Sequence, residues 1–127
     1  MKLSAAILLG STLSPQAFAE FEDDNGSRCA LGAALAAIGN PIQIGNGFRA
    51  AAESWPWIEP YGEFHCPDCD GVASQALSLI VHINDGHKWT RERIAEWVAT
   101  VEPQDIQGEQ TDEVQGARIA VLEATEA

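Results

Sequence analysis

Basic side chains are scarce in this sequence of 127 residues, which carries 7 Lys and Arg against 19 Asp and Glu. The formal net charge at pH 7 is therefore −12. A protein that binds DNA or RNA by neutralising phosphates needs clustered Lys and Arg side chains. No basic residue lies between Arg49 and Lys88. The composition therefore speaks against direct binding of DNA or RNA.

Long hydrophobic runs are also lacking. No stretch of the sequence reaches the roughly 18 apolar residues that a membrane-spanning helix requires, so we expect no membrane span. Cysteine is infrequent, and its count of three is odd. An odd and small number of cysteines is not a disulfide framework, and it is typical of a reducing compartment. We therefore predict a cytoplasmic protein.

Residues 1–19 fit two interpretations. Lys2, the apolar run after it and the Ala-Phe-Ala triplet that ends at Ala19 have the layout of a secretory signal peptide. Cleavage after Ala19 would then make the protein a secreted one. The same residues fit a helix capped by Ser4 and ended by Pro15. The apolar positions of that helix are Leu3, Ala6, Ile7, Gly10 and Leu13. We favour the retained helix because the cysteine count indicates a reducing compartment.

Signatures of catalysis are missing as well. The sequence contains no Ser-His-Asp order, no paired-carboxylate motif and no Walker loop. The segment Gly45-Asn46-Gly47 is too short and isolated to be a phosphate-binding loop. We therefore predict that the protein is not an enzyme.

The most informative stretch is FHCPDCDGVASQALSLIVHINDGH, from Phe64 to His87. Thiolate and imidazole are the ligands that Zn²⁺ takes in tetrahedral geometry, and two cysteines on one tight turn can bind the same ion. Pro67 and the pair Asp70-Gly71 favour such a turn. The spacing is C-x2-C-x12-H-x4-H, and the candidate ligands are Cys66, Cys69, His82 and His87. Four protein ligands fill the coordination sphere, so the sequence predicts a structural Zn²⁺ site.

This stretch resembles the C₂H₂ zinc-finger family beyond its four ligands. Phe64 and Leu79 stand where that family keeps an aromatic residue and a leucine for its small core. The second aromatic residue of the family would fall on Ala73, which is a departure. A finger that lacks this ring packs poorly alone, so the resemblance implies a finger embedded in a larger domain.

Hydrophobic periodicity and cap signals predict a mostly α fold with little or no sheet. The predicted helices after residue 19 are one capped by Ser27 and ended by Gly39, one at Phe48–Ser54, the finger helix over Val72–Ile83, and one capped by Thr90 and ended by Pro103. We expect a single helical zinc-binding domain at 1–103, with the finger at 64–87. Residues 104–127 are acidic and polar, and they predict a tail with at most a short helix at 117–122.

Two groups of side chains are candidate contacts for a partner. Aromatic residues are common anchors in protein interfaces, and three of them crowd the proline-rich segment SWPWIEPYGEF: Trp55, Trp57 and Tyr61. The alternative is that this segment is an irregular strap that packs over the finger and the helices. The other group is the one basic cluster, either a solvated face or a docking patch for an acidic partner: Lys88, Arg91 and Arg93.

HNH nucleases also combine cysteine pairs with His and Asn, and the segment His82–His87, HINDGH, is similar to their motif. Those enzymes need a further histidine beside the metal ligands. Here both histidines of the segment are already used by the finger, and His65 adjoins a cysteine ligand. The comparison therefore does not change the prediction that the protein is not catalytic.

A second resemblance covers most of the chain. The opening KLS-A-I-LG, the block CALGAA and the block H-x-ND-x-H-x-WTRERIAEWV look like small proteins of bacterial and phage genomes. The resemblance implies a microbial setting, which is the host cytoplasm if a phage encodes the chain. We predict a small zinc-binding protein that acts as a protein interaction module. The alternatives are an acidic mimic of nucleic acid that inhibits a nucleic-acid-binding protein, and a phage virion or assembly component.

Overall fold

The computed structural model of the protein describes residues 1–40 and 47–104. These residues form five α-helices, one 3₁₀ turn and a two-stranded antiparallel sheet. The helices are α1 (Leu3–Ser11), α2 (Ala30–Ala37), α3 (Gly47–Ser54), α4 (Ala76–Asp85) and α5 (Arg91–Val101). The strands are β1 (Phe64–His65) and β2 (Val72–Ala73), and the 3₁₀ turn is Pro56–Ile58. The predicted mostly α fold is confirmed.

Helix α1 packs against both α2 and α5, and four of its five predicted apolar positions are buried. The fifth, Leu13, follows the helix and is 57% exposed. The approach to α2 is closest at Gly10, where a Cβ atom would lie 2.0 Å from the carbonyl oxygen of Ala33. Only glycine allows the two backbones to come so near. The small residues of α1 and α2 thus set the spacing of the helical core.

The start of α1 is capped by a residue distant in sequence. Ser4 is not the cap that the sequence predicts, because Lys2 holds the N-cap position and makes no side-chain bond there. Instead, the Glu102 carboxylate accepts hydrogen bonds from the backbone N–H of Ser4, at 3.1 Å, and from its hydroxyl. A carboxylate is favoured here because the first N–H groups of a helix lack intrahelical partners. The contact fastens the end of α5 to the start of α1.

A buried amide joins α4 to the chain before α2. Asn84 is 1% exposed, and its Oδ1 atom accepts from the Gln16 side chain at 2.9 Å and from the Ala30 N–H at 3.2 Å. Its Nδ2 atom donates to the Ala17 carbonyl at 3.1 Å and to the Asp85 carboxylate at 2.7 Å. Each polar atom of this amide is therefore hydrogen-bonded, as a buried polar group requires.

Arg91, the first residue of α5, binds four backbone carbonyls. Its guanidinium donates to them at 2.5–3.4 Å, and they belong to Ser11, Ser14, Pro15 and Arg28. The residue is only 6% exposed, and burial lowers the pKa of its guanidinium from the ordinary value. Arg91 thus joins the end of α1 and the loop that follows it to Arg28, whose carbonyl also accepts the Ala17 N–H.

Several predicted boundaries differ from the structure. The N-cap of α2 is Cys29 and not Ser27, and its Sγ atom accepts a backbone N–H of the first turn. The finger helix begins at Ala76 and not at Val72, because Val72 pairs with β1. The Thr90 cap of α5 is confirmed. The tail predicted for 104–127 falls outside the described residues from 105 onward.

Within residues 1–40 and 47–104, no helix is both long enough and apolar enough to cross a membrane.

Replacing Arg91 with Met should lower the free energy of unfolding by about 3 kcal/mol or more, because four backbone carbonyls would lose a buried charged donor. The matched control is Arg93→Met on the same helix, where the side chain is exposed and stacks on Trp89. That control should cost about 1 kcal/mol or less. Urea unfolding followed by circular dichroism measures both variants, and equal costs would contradict the structural role of Arg91.

Candidate metal centre

A short hairpin carries the two cysteines. Strand β1 pairs with β2 in the register Phe64 to Ala73 and His65 to Val72. The chain between the strands is tightened by a hydrogen bond of 2.9 Å from the Cys66 N–H to the Gly71 carbonyl. Helix α4 follows this hairpin along the chain.

The two histidines are brought together at the end of α4. His82 lies in the last turn of the helix, and the Gly86 N–H donates to its carbonyl at 2.8 Å. A Cβ atom at Gly86 would stand 2.9 Å from the same carbonyl oxygen, so a larger residue would disturb this turn. The His87 ring follows this turn and lies 4.7 Å from that of His82, measured between centroids. Lys88, the next residue, takes a positive φ of 56°.

The four predicted ligands converge on one point. One potential ligand atom from each of them lies within 4.8 Å of all the others: Cys66, Cys69, His82 and His87. Nε2 of His82 is 3.5 Å from Sγ of Cys69 and 3.1 Å from Nε2 of His87. Tetrahedral Zn²⁺ with ordinary bond lengths would separate such N and S ligands by about 3.6 Å and two N ligands by about 3.3 Å. The cluster could therefore hold a metal ion of this kind.

Backbone N–H groups point at both sulfurs. The Asp68 N–H donates to Sγ of Cys66 at 3.4 Å, and the Gly71 N–H donates to Sγ of Cys69 at 3.3 Å. The backbone of the turn thus holds both sulfurs in place through these hydrogen bonds.

The Asp68 carboxylate lies next to the ring of His87. Its Oδ2 atom lies 3.4 Å from Nδ1 of His87, and it accepts a hydrogen bond of 3.0 Å from the Trp89 indole. No sequence pattern singled Asp68 out as part of the centre. The sequence signal that could have identified Asp68 was its position between the two cysteines, because a side chain there must lie near whatever the cysteines bind.

The finger shares its core with the helices. Cys66 is buried, whereas Cys69 and His82 are exposed, so the centre lies at the surface. Leu79 is fully buried and Phe64 is partly buried against the same core. The other apolar faces of α4 contact α2 and α5. The hairpin and α4 therefore pack against the helical core.

Two of the candidate partner contacts lie in the interior. Trp55 is 5% exposed, and its indole donates to the Met1 carbonyl at 3.0 Å. Arg91 is held by the backbone carbonyls described above. Neither side chain is available to a partner, so the structure corrects this part of the prediction. Trp55 is apolar core, and Arg91 lies at the point where α5 meets the loop after α1.

The other candidates have exposed groups. Tyr61 is 85% exposed, and Trp57 is partly buried against the core. Lys88 is exposed, with its Nζ atom 4.5 Å from the Phe18 ring centroid. Arg93 is exposed and lies over the Trp89 ring at 3.6 Å. These side chains remain the predicted contact residues.

The remaining cysteine and histidine lie apart from the cluster. Cys29 is buried, and burial raises the pKa of its thiol, which agrees with a small apolar residue and not a reactive one. His65 is exposed and lies 3.3 Å from the Glu63 carboxylate. The Asn84 amide of the HNH-like segment is used fully within the core.

Comparisons with protein-family models, with curated proteins and with solved structures gave no match. The candidate metal centre therefore rests on its geometry alone, and the resemblance to microbial proteins stays a prediction.

Replacing Cys66 with Ser or His82 with Ala should weaken Zn²⁺ binding at least about 100-fold, because each variant removes one ligand of four. The same variants should lower the melting temperature of the Zn²⁺-treated protein by about 10 °C, since metal binding contributes to folding stability. Competition with a coloured chelator measures the affinity, and calorimetry measures the melting temperature.

The matched controls are His65→Ala, an exposed histidine next to Cys66, and Cys29→Ala, a buried cysteine outside the cluster. Both controls should bind Zn²⁺ as the parent protein does. Equal affinity in the ligand variants and the controls would contradict the assignment of the centre.

Proposed function

We propose that the protein is a small zinc-binding protein whose metal is structural and whose role is to bind another protein. The observation that carries the proposal is the convergence of two thiol and two imidazole ligand atoms within 4.8 Å. Mixed sulfur and nitrogen donors in a set of four suit Zn²⁺ better than Mg²⁺ or Ca²⁺, which prefer oxygen ligands.

The donor set also argues for a structural and not a catalytic metal. Catalytic Zn²⁺ keeps a coordination position for water or substrate, and three protein ligands are usual in such sites. Four protein ligands leave no such position here. The proposal therefore treats the chain as a non-enzyme in which the ion ties the hairpin to the end of α4.

The interaction role rests on the side chains exposed around the finger. Tyr61 precedes β1 and is 85% exposed, and Val72 of β2 is 55% exposed. Lys88 follows His87 in the chain and Arg93 lies over the Trp89 ring, and both are exposed basic residues in a protein of net charge −12. Aromatic and Arg side chains at a partly apolar surface are typical of protein interfaces. A protein with an acidic patch fits this surface best.

The cytoplasm is the compartment that this proposal favours. The three cysteines of the protein are unpaired in the structure, and two of them are candidate metal ligands. A zinc site that depends on thiolates is preserved best where thiols stay reduced.

Replacing Tyr61 with Ala should reduce retention of the partner about tenfold or more, because exposed aromatic anchors often contribute over 1.4 kcal/mol to binding. Zn²⁺-loaded protein is immobilised, and extract of the producing cells is passed over the parent, Tyr61→Ala and Arg93→Ala. The control is Leu13→Ala, which removes an exposed apolar side chain after α1. All variants should keep Zn²⁺ and melt within about 8 °C of the parent protein.

Retention of the same protein by all four chains would contradict the assigned surface. Retention of nucleic acid that salt removes would contradict the protein-binding role itself.

A further inference from the structure

One acidic residue contacts both kinds of ligand in the metal centre. Asp68 lies between the two cysteines of the hairpin turn, and its N–H donates to Sγ of Cys66 at 3.4 Å. Its carboxylate oxygen Oδ2 reaches back to Nδ1 of His87 at 3.4 Å. The same oxygen accepts the Trp89 indole N–H at 3.0 Å. Asp68 therefore contacts the first cysteine through its backbone and the last histidine through its side chain.

The geometry at His87 determines which ring nitrogen can bind a metal. Nε2 faces the cluster, 3.1 Å from Nε2 of His82, while Nδ1 faces the carboxylate of Asp68. A neutral imidazole carries one proton, and a carboxylate beside Nδ1 favours the tautomer that has its proton there. Nε2 is then left with a free lone pair that points at the metal position. Carboxylate partners of this kind orient histidine ligands and increase their basicity in many metal sites.

The Asp68 carboxylate is held in turn by Trp89, a buried residue of the core. Trp89 is 7% exposed, and its backbone N–H donates to the Ile83 carbonyl at 3.1 Å. It immediately precedes Thr90, the N-cap of α5. The Trp89 indole thus fixes Asp68 next to the start of α5, the helix that packs on α1 and α4. The contact joins the hairpin turn, the histidine turn and the start of α5.

We infer that Asp68 is a positioning residue of the metal centre: it fixes the ring orientation and tautomer of His87, and Trp89 holds it in place. The inference rests on the proposed zinc site and adds a residue that the spacing C-x2-C-x12-H-x4-H does not contain. It also assigns Trp89 a role beyond filling the core.

The test compares Asp68→Ala with Asp68→Asn and Trp89→Phe in the full chain. The matched control is Asp70→Asn, which removes the same charge on the other side of Cys69. Zn²⁺ affinity is measured by chelator competition. Asp68→Ala should lose about 10- to 100-fold in affinity, as do other sites stripped of a carboxylate partner. Asp68→Asn should lose less because its amide oxygen can still accept, and Asp70→Asn should stay within about twofold of the parent.

A spectroscopic readout separates positioning from general stability. Long-range ¹H–¹⁵N spectra of the Zn²⁺ form should show His87 protonated at Nδ1 and bound through Nε2, with slow exchange of the Nδ1 proton. That proton should exchange faster in Asp68→Ala and in Trp89→Phe, at a Zn²⁺ concentration that saturates each variant. The His82 signals should change less, because Asp68 contacts His87 and not His82.

The outcomes distinguish the inference from the function on which it rests. If the parent protein binds no Zn²⁺, the proposed function fails and the inference fails with it. If the parent binds one Zn²⁺ that depends on Cys66, while Asp68→Ala matches it in affinity and in the His87 signals, the inference alone is overturned. If Asp68→Ala does not fold, Asp68→Asn and Trp89→Phe decide by the same two measurements.

Discussion

Two tight turns, one at 66–71 and one at 86–88, bring two sulfurs and two imidazole nitrogens to a single point. The rest of the finger depends on that convergence. A two-residue strand pair has little stability by itself, and a ten-residue helix is marginal in water. An ion bound by the four ligands would join the hairpin to the end of α4 with bonds far stronger than the contacts around them.

The helices supply what the finger lacks. Its helix α4 buries Leu79, Ile80 and Ile83, which is more apolar surface than a two-strand hairpin can cover. Helices α2 and α5 contact α4, and the Asn84 amide ties it to the chain before α2. Arg91 and Glu102 then fasten the two ends of α5 to the neighbourhood of α1. The cluster of four candidate ligands is therefore joined to the helical core, and the Asp68–Trp89 contact lies where they meet.

The sequence predicted the parts of this structure that depend on local pattern. Ligand spacing identified the centre, and apolar periodicity with the Thr90 cap identified α1 and α5, because these signals lie within a few turns of chain. The sequence could not predict the roles of Arg91 and Asn84. Their partners are carbonyls and amides up to 80 residues away, which only the folded chain brings near. For the same reason, sequence could not separate buried Arg91 from exposed Arg93, two residues along.

The most direct measurement of the central claim is X-ray absorption at the zinc edge on protein purified from its own host. Four protein ligands of this kind predict two sulfurs at about 2.3 Å and two nitrogens at about 2.0–2.1 Å, with no bound water. One Zn²⁺ per chain in that environment would establish the centre as a closed structural site. A chain without zinc, or zinc surrounded by oxygen and nitrogen alone, would contradict the account.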